Sequence, residues 1–310
     1  MRSGPRAAAA LALCATAAAG CGIGPGDDEG DVELTITRDY GERVLLQERD
    51  SINESDTVLR VLDRSAEVDT RYGGGFVQSI DGVAGGTNGG RRSDWFFYVN
   101  GIESPVGAAE YDLSAADRIW WDHRDWTAAM RVPAVVGSWP EPFVHGFGGK
   151  AWPTAVVCVA NPATCARVSS TLQAVGAQLE GVDTVQIGGR SAPPGTLGVV
   201  VGTWPRIRAN SAARLLVQDA DRSGVFARFV GDKRPLLELE NQRGEPTGSI
   251  GKGGGLVAAL RPGDGPPTWV VTGTDRKGVS AAANLLGDAL QNHYAVATQP
   301  GAGPIGVPVS

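Results

Sequence analysis

The chain has 310 residues, 28 Lys and Arg against 34 Asp and Glu, and a formal net charge of −6. With 42% hydrophobic and 20% charged residues, its composition is that of a globular protein and excludes the disordered, collagen-like and multi-spanning membrane classes. The acidic balance argues against a nucleic-acid partner, because phosphate binding needs a basic surface, and the length suggests about two domains.

Residues 1–20 read as a signal peptide. Arg2 and Arg6 precede an apolar run from Ala7 to Ala19 that is shorter than the roughly 20 residues a membrane-spanning helix needs. The run closes on Ala18-Ala19-Gly20-Cys21, which resembles the lipobox of bacterial lipoproteins. That resemblance implies a lipid on Cys21, cleavage before it, and an extracytoplasmic protein anchored to the cell membrane. Each buried methylene contributes about 0.8 kcal/mol, so two or more acyl chains hold such a protein almost permanently. Residues 21–30, the lipidated cysteine and the acidic, glycine-rich stretch after it, are expected to form a flexible tether. Of four cysteines, Cys14 falls in the discarded signal and Cys21 carries lipid. Cys158 and Cys165 remain, and an oxidising compartment favours a disulfide between them. A zinc site would need more Cys and His nearby.

From Asp31 the pattern is β-rich. Val32, Leu34 and Ile36 alternate with polar residues, which predicts a half-buried strand. Asp39-Tyr40-Gly41 is a turn, and Val44–Gln47 returns as the hairpin partner. Ser55-Asp56 are placed to cap a short helix from Thr57 to about Ser65. A short strand holds Phe76, Val77 and Ile80, and a glycine-rich loop follows to Arg92. Asp94–Asn100 favours β strongly, Asn100-Gly101 marks a tight turn, and Arg118–Trp126 is the last strand of this part.

Strand, strand, helix and further strands within residues 31–128 is the order of a β-grasp domain. The series Thr57-Val58-Leu59, Phe76 to Gly82, Trp95-Phe96-Phe97-Tyr98-Val99-Asn100-Gly101, then Tyr111, Leu113, Asp117, Ile119 and Trp121 resembles the transcobalamin C-terminal-like family. The likeness covers roughly residues 32–126. It implies a small β-grasp fold, in a family whose vertebrate namesakes cap cobalamin, and so implies a soluble ligand, a cobalamin-like one included.

After Trp126 the texture changes to a Pro- and Gly-rich stretch, then to alternating strand and helix over residues 129–299. Thr154–Ala160 predicts a strand, Ala163–Ala177 a helix, Asp183–Ile187 and Gly198–Val201 strands, Ile207–Leu216 a helix. Val225–Val230, Leu236–Glu240, Gly254–Arg261 and Thr268–Thr272 follow as strands and Gly278–Leu290 as a helix. This order predicts an α/β domain with a mixed, partly parallel sheet. Gly202-Thr203 and Gly273-Thr274 both end a strand ahead of a small-residue helix. They read as two similar βα units, with a second reading as turns that face an anion. Residues 300–310 read as a disordered tail.

The functional lead is aromatic. Four of the eight Trp lie between Trp95 and Trp126. Strand alternation puts Trp95 and Phe97 on one face and Phe96 and Tyr98 on the other. It likewise groups Ile119, Trp121 and His123 against Trp120, Asp122, Arg124 and Trp126. One helix cannot cover all these rings, so some, Trp120 and Trp126 above all, face a ligand, the second domain or a partner protein. Trp95, Tyr98, Trp120, Trp121 and Trp126 are the candidate ligand-binding residues. No catalytic or metal-binding residue is assigned: Gly-x-Ser-x-Gly and His-Glu-x-x-His are absent and the three His lie far apart. The expectation is a non-catalytic, lipid-anchored binding protein with no resident cofactor, serving a membrane transporter. Its alternatives are an envelope protein-interaction module and an enzyme in the α/β half.

Overall fold

The computed structural model describes residues 28–72, 75–183 and 192–310, besides Met1. The expected signal peptide, Cys21, most of the expected tether, and the expected strand beyond Asp183 lie outside the described residues. The rest is a mixed α+β structure with several sheets and few helices.

The first sheet is built around a hairpin of β1 (Asp28–Arg38) and β2 (Arg43–Asn53). After α1 (Val58–Ser65) come β3 (Val68–Arg71), β4 (Phe76–Ile80) and β5 (Val83–Ala84), which form a small sheet of their own. β6 (Gly86–Asn88), β7 (Arg91–Val99), β8 (Ile102–Glu103) and β9 (Arg118–Asp125) complete the first sheet. Its order is β2-β1-β9-β7-β6, with β8 on β7. β9 runs parallel to β1 and antiparallel to β7.

Alternation explains the packing of one face. Val32, Leu34 and Ile36 of β1 and Ile119 and Trp121 of β9 meet Val58, Val61 and Leu62 of α1 in one buried cluster. The helix begins where Thr57 accepts a hydrogen bond from the Arg60 amide, so Thr57 takes the capping role expected of Ser55-Asp56. Asp56 is engaged otherwise: it accepts from the Asn53 amide and, at 2.7 Å, from Arg64.

That pairing predicts an acid response. Burial pushes the Asp56 carboxyl up, but the bonds from Arg64 and Asn53 outweigh it and hold it below its ordinary 3.8. A depressed acid stabilises the fold above its unfolded value, and that contribution is lost as pH falls through the folded value. Asp56→Asn should therefore lower the melting temperature near neutral pH and flatten its fall below about pH 4. An equal loss at acid and neutral pH would show that the ion pair is not the source.

The second large sheet comprises β10 (Thr154–Cys158), β11 (Leu179–Asp183), β12 (Leu197–Thr203), β16 (Gly255–Leu260), β17 (Thr268–Gly273), β18 (Ala295–Thr298) and β19 (Ile305–Val307). The order is β11-β10-β12-β17-β16-β18-β19. The first four strands are parallel and the last three pair antiparallel. α2 (Pro162–Ala174) and α5 (Arg276–Ala283) cover one face. α5 lies very close: a Cβ on Gly278 would overlap the Gly254 carbonyl. The other face meets α3 (Trp204–Ile207), α4 (Ala220–Ser223) and a three-stranded sheet of β13 (Ala227–Val230), β14 (Leu236–Glu240) and β15 (Pro246–Ile250).

Three expectations are corrected here. The helix expected over Ile207–Leu216 breaks after α3, because the Asn210 side chain accepts from the Ala212 and Ala213 amides and opens a new 3-10 turn. The helix expected to run to Leu290 ends at Ala283. Residues 300–310 are not a free tail, since β19 pairs with β18 and buries Val307. The disulfide stands as expected: Cys158 at the end of β10 joins Cys165 in the first turn of α2, Cα to Cα 5.8 Å.

Candidate functional site

The five candidate aromatic residues divide between two packed layers. Trp95 and Trp121 lie on the helix side of the first sheet, both buried. The Trp95 indole donates to the Val83 carbonyl at 2.7 Å, and Trp121 packs on Phe97 with centroids 4.8 Å apart. Tyr98 and Trp120 lie on the opposite face and are buried against the second half of the chain. Trp126 is half-exposed. Its indole donates to Asp94 at 2.7 Å and the Arg92 guanidinium covers its ring. Four of the five are therefore buried, Trp95 and Trp121 on the helix side and Tyr98 and Trp120 under the second half.

That covered face is a polar-aromatic seam. Trp120 donates to Thr37 at 2.8 Å, and Thr37 donates to Asp122 at 2.7 Å. The Tyr294 hydroxyl reaches across from the second half to Asp122 at 2.9 Å. Burial pushes the Asp122 carboxyl up, against the opposing bonds from Thr37, Tyr294 and the Gly41 amide. Arg124, fully buried, donates to the Ala129 and Met130 carbonyls and lies over the Phe96 ring. Gly41 is required at the seam, where its φ is +84° and a Cβ would overlap the Asn292 carbonyl.

Where the seam opens, a cavity of about 480 Å³ forms. Asp31, Glu33, Arg49 and Arg118 contribute one wall; Glu141, Val144 and His145 contribute the other. Arg118 is fixed by the Trp139 carbonyl at 2.6 Å and faces Glu33 at 3.5 Å. Glu141 is buried, and its carboxylate takes both the His145 amide at 3.0 Å and the His145 Nδ1 at 2.6 Å. In the neutral imidazole this pairing puts the proton on Nδ1 and leaves Nε2 as the acceptor. No Ser, Thr or Cys lines this cavity, so its chemistry is hydrogen bonding and charge, without a nucleophile beside the histidine.

Sequence reasoning missed this pair. Glu141 and His145 are four residues apart, but among Pro140, Pro142 and glycines no periodicity marks them as neighbours. They meet because turns from Pro140 to Phe143 and from Pro142 to Gly146 coil the segment. The two Gly-Thr turns do come together: Gly202 pairs with Thr272 and Thr203 with Gly273. Thr203, Arg206 and Arg276 line a smaller cavity of about 270 Å³ there. Among the described residues no three His, Cys, Asp or Glu side chains are grouped to hold a metal, and no helix is long and apolar enough to cross a membrane.

Residues 55–124 match a domain of unknown function, DUF4430. The DUF4430 segment runs from Ser55, just ahead of α1, to Arg124 of β9 and so carries four of the five candidate aromatic residues, Trp95, Tyr98, Trp120 and Trp121. No curated protein matches the chain. Among solved structures, one from Ruminococcus gnavus ATCC 29149 described as metal binding is similar over 31% of this chain and 98% of its own, at 16% identity and a TM-score of 0.25. Haptocorrin in complex with Cbi is similar over 31% of this chain at 13% identity and a TM-score of 0.25; the likeness spans 26% of the haptocorrin chain.

Proposed function

We propose that this chain is a lipid-anchored, extracytoplasmic, non-catalytic binding protein that holds a small polar ligand in the cavity between its two halves. The residue 31–128 module is read as a β-grasp domain of the transcobalamin C-terminal-like kind, and residues 129–299 as an α/β domain. The observation that carries the reading is the 480 Å³ cavity walled by both halves, with His145 oriented by buried Glu141 and Arg118 opposite. Small-molecule sites occupy cavities of about 300–1,000 Å³ and favour such junctions. The charged n-region, short apolar run and Cys21 support the anchor, and the Cys158–Cys165 disulfide fits an oxidising compartment. An anchored binder raises ligand concentration beside a membrane transporter. Docking of an envelope protein through the aromatic face has less support, because Trp120 and Tyr98 are internal.

The test is native mass spectrometry of the full chain purified from its own envelope, beside a tryptophan-fluorescence titration with cyanocobalamin. The expected result is a small-molecule adduct that disappears in Ala115→Trp, where an indole fills the mouth of the cavity. Saturable quenching by cyanocobalamin would identify a corrinoid as that ligand. No adduct and no quenching would overturn the binding reading.

A further inference from the structure

At the carboxyl edge of the second large sheet the chain departs to both faces. β10, β12 and β17 are parallel neighbours, so their carboxyl ends lie side by side. From β10 the chain passes to α2, whose Cys165, Val168 and Leu172 pack on one face. From β12 it passes to α3, whose Trp204 and Ile207 pack on the other. Adjacent strands that send their connections to opposite faces leave a crevice between them, and in open α/β sheets that crevice is where ligands bind. Here it is the cavity of about 270 Å³, walled by Val159 to Pro162 after β10, Thr203 and Arg206 after β12, and Arg276 and Val279 of α5.

The walls are held in place. The Cys158–Cys165 bond closes the segment that follows β10. Gly202 packs so closely that a Cβ there would overlap the Val159 and Ile207 side chains, and a Cβ on Gly273 would overlap the Val279 amide. The glycines of the two Gly-Thr turns thus let three segments close on one crevice. Arg206 donates from one terminal nitrogen to the Val159 carbonyl at 2.9 Å, which fixes the guanidinium beside the crevice. Arg276 is exposed and makes no hydrogen bond or ion pair among the described residues. Thr203, at the head of α3, makes no capping bond with its side chain.

The charge is one-sided. Arg206 and Arg276 line the crevice, and among the described residues no Asp or Glu does, although the whole chain is acidic. Side chains carry this site, not the amino terminus of α2: Pro162 opens that helix without an N–H, and the Thr164 amide is taken by the Asn161 side chain at 3.0 Å. We propose that the crevice binds a doubly charged tetrahedral oxyanion, the phosphoryl group of inorganic phosphate or of a small phosphomonoester. Two guanidinium forks from separate segments match the several oxygens of such a group. The Thr203 hydroxyl adds a donor, and no carboxylate opposes the second charge. This site is separate from the cavity at the junction and does not depend on it.

The experiment is isothermal titration calorimetry of the full chain at constant ionic strength, with inorganic phosphate, glycerol 3-phosphate, sulfate and acetate. Saturable binding of phosphate or glycerol 3-phosphate is expected, with acetate weaker, and the tighter of the two phosphates names the source. Arg276→Gln and Arg206→Gln should each weaken that binding about tenfold or more. Arg71→Gln, which removes the same charge on β3, and His145→Ala, in the junction cavity, should leave it unchanged. Should Arg206→Gln not fold, Arg276→Gln decides, because Arg276 is exposed and holds nothing else in place. No saturation below about 10 mM, acetate as tight as phosphate, sulfate tighter than both phosphates, full affinity in Arg276→Gln, or an equal loss in Arg71→Gln would each overturn the proposal.

Discussion

Trp120→Ala is expected to cost about 3–5 kcal/mol and to separate one unfolding transition into two. The indole is the centre of the seam: it packs on Tyr98 and on Tyr294, with centroids 5.7 and 5.4 Å away, and it donates to Thr37. Gly137 is pressed against it so closely that a Cβ there would lie 2.6 Å from the ring. Truncation leaves a void that rigid strands on both sides cannot fill, and removes the donor that Thr37 accepts from. The lost contacts span the two halves, so the first sheet should then melt at lower denaturant than the second. Urea unfolding followed by near-ultraviolet and far-ultraviolet circular dichroism reads both effects. The comparison is Trp126→Ala, where the ring is half-exposed and held by Arg92, and where a loss of about 1 kcal/mol is expected. A loss in Trp120→Ala no larger than that, with a single transition, would show that the halves do not depend on the seam.

Removing the Cys158–Cys165 bond is expected to cost about 2 kcal/mol, less than a disulfide closing a longer loop, because only 7 residues separate the partners. The bond restrains the unfolded chain where β10 turns into α2. The double substitution Cys158→Ser and Cys165→Ser should lower the denaturation midpoint. Dithiothreitol should lower the midpoint of the unaltered chain to match, with no further effect on the variant. A reductant effect of equal size in the variant would place the sensitivity elsewhere.

Local patterns were legible; long-range company was not. Val32, Leu34 and Ile36 announce β1 by alternation alone, and two leftover cysteines announce their bond. The broken helix after Ile207 was missed because its interruption comes from one side chain, Asn210, turning back on the backbone. β19 was missed because Pro300–Gly306 carries the composition of a loose end, and only pairing with β18 makes Ile305–Val307 a strand. Alternation correctly grouped Trp120 with Asp122 and Arg124. It could not say that Tyr294, 172 residues from Asp122, would complete the group. The junction cavity was least legible of all, since its walls come from residues near 31, 118 and 141 with no common motif.

The neighbours of β1 also determine how the molecule bears a pull. β1 lies inside the first sheet, antiparallel to β2 and parallel to β9, with paired positions running from Glu33–Arg118 to Arg38–His123. Strand hydrogen bonds stand across the strand direction. Tension applied to the amino-terminal end of β1 and resisted by the chain beyond β9 acts along the strands, so it shears all these bonds together instead of peeling them one at a time. β1 is thus a mechanical clamp, and drag on the chain ahead of it would reach the seam only after that clamp had slipped.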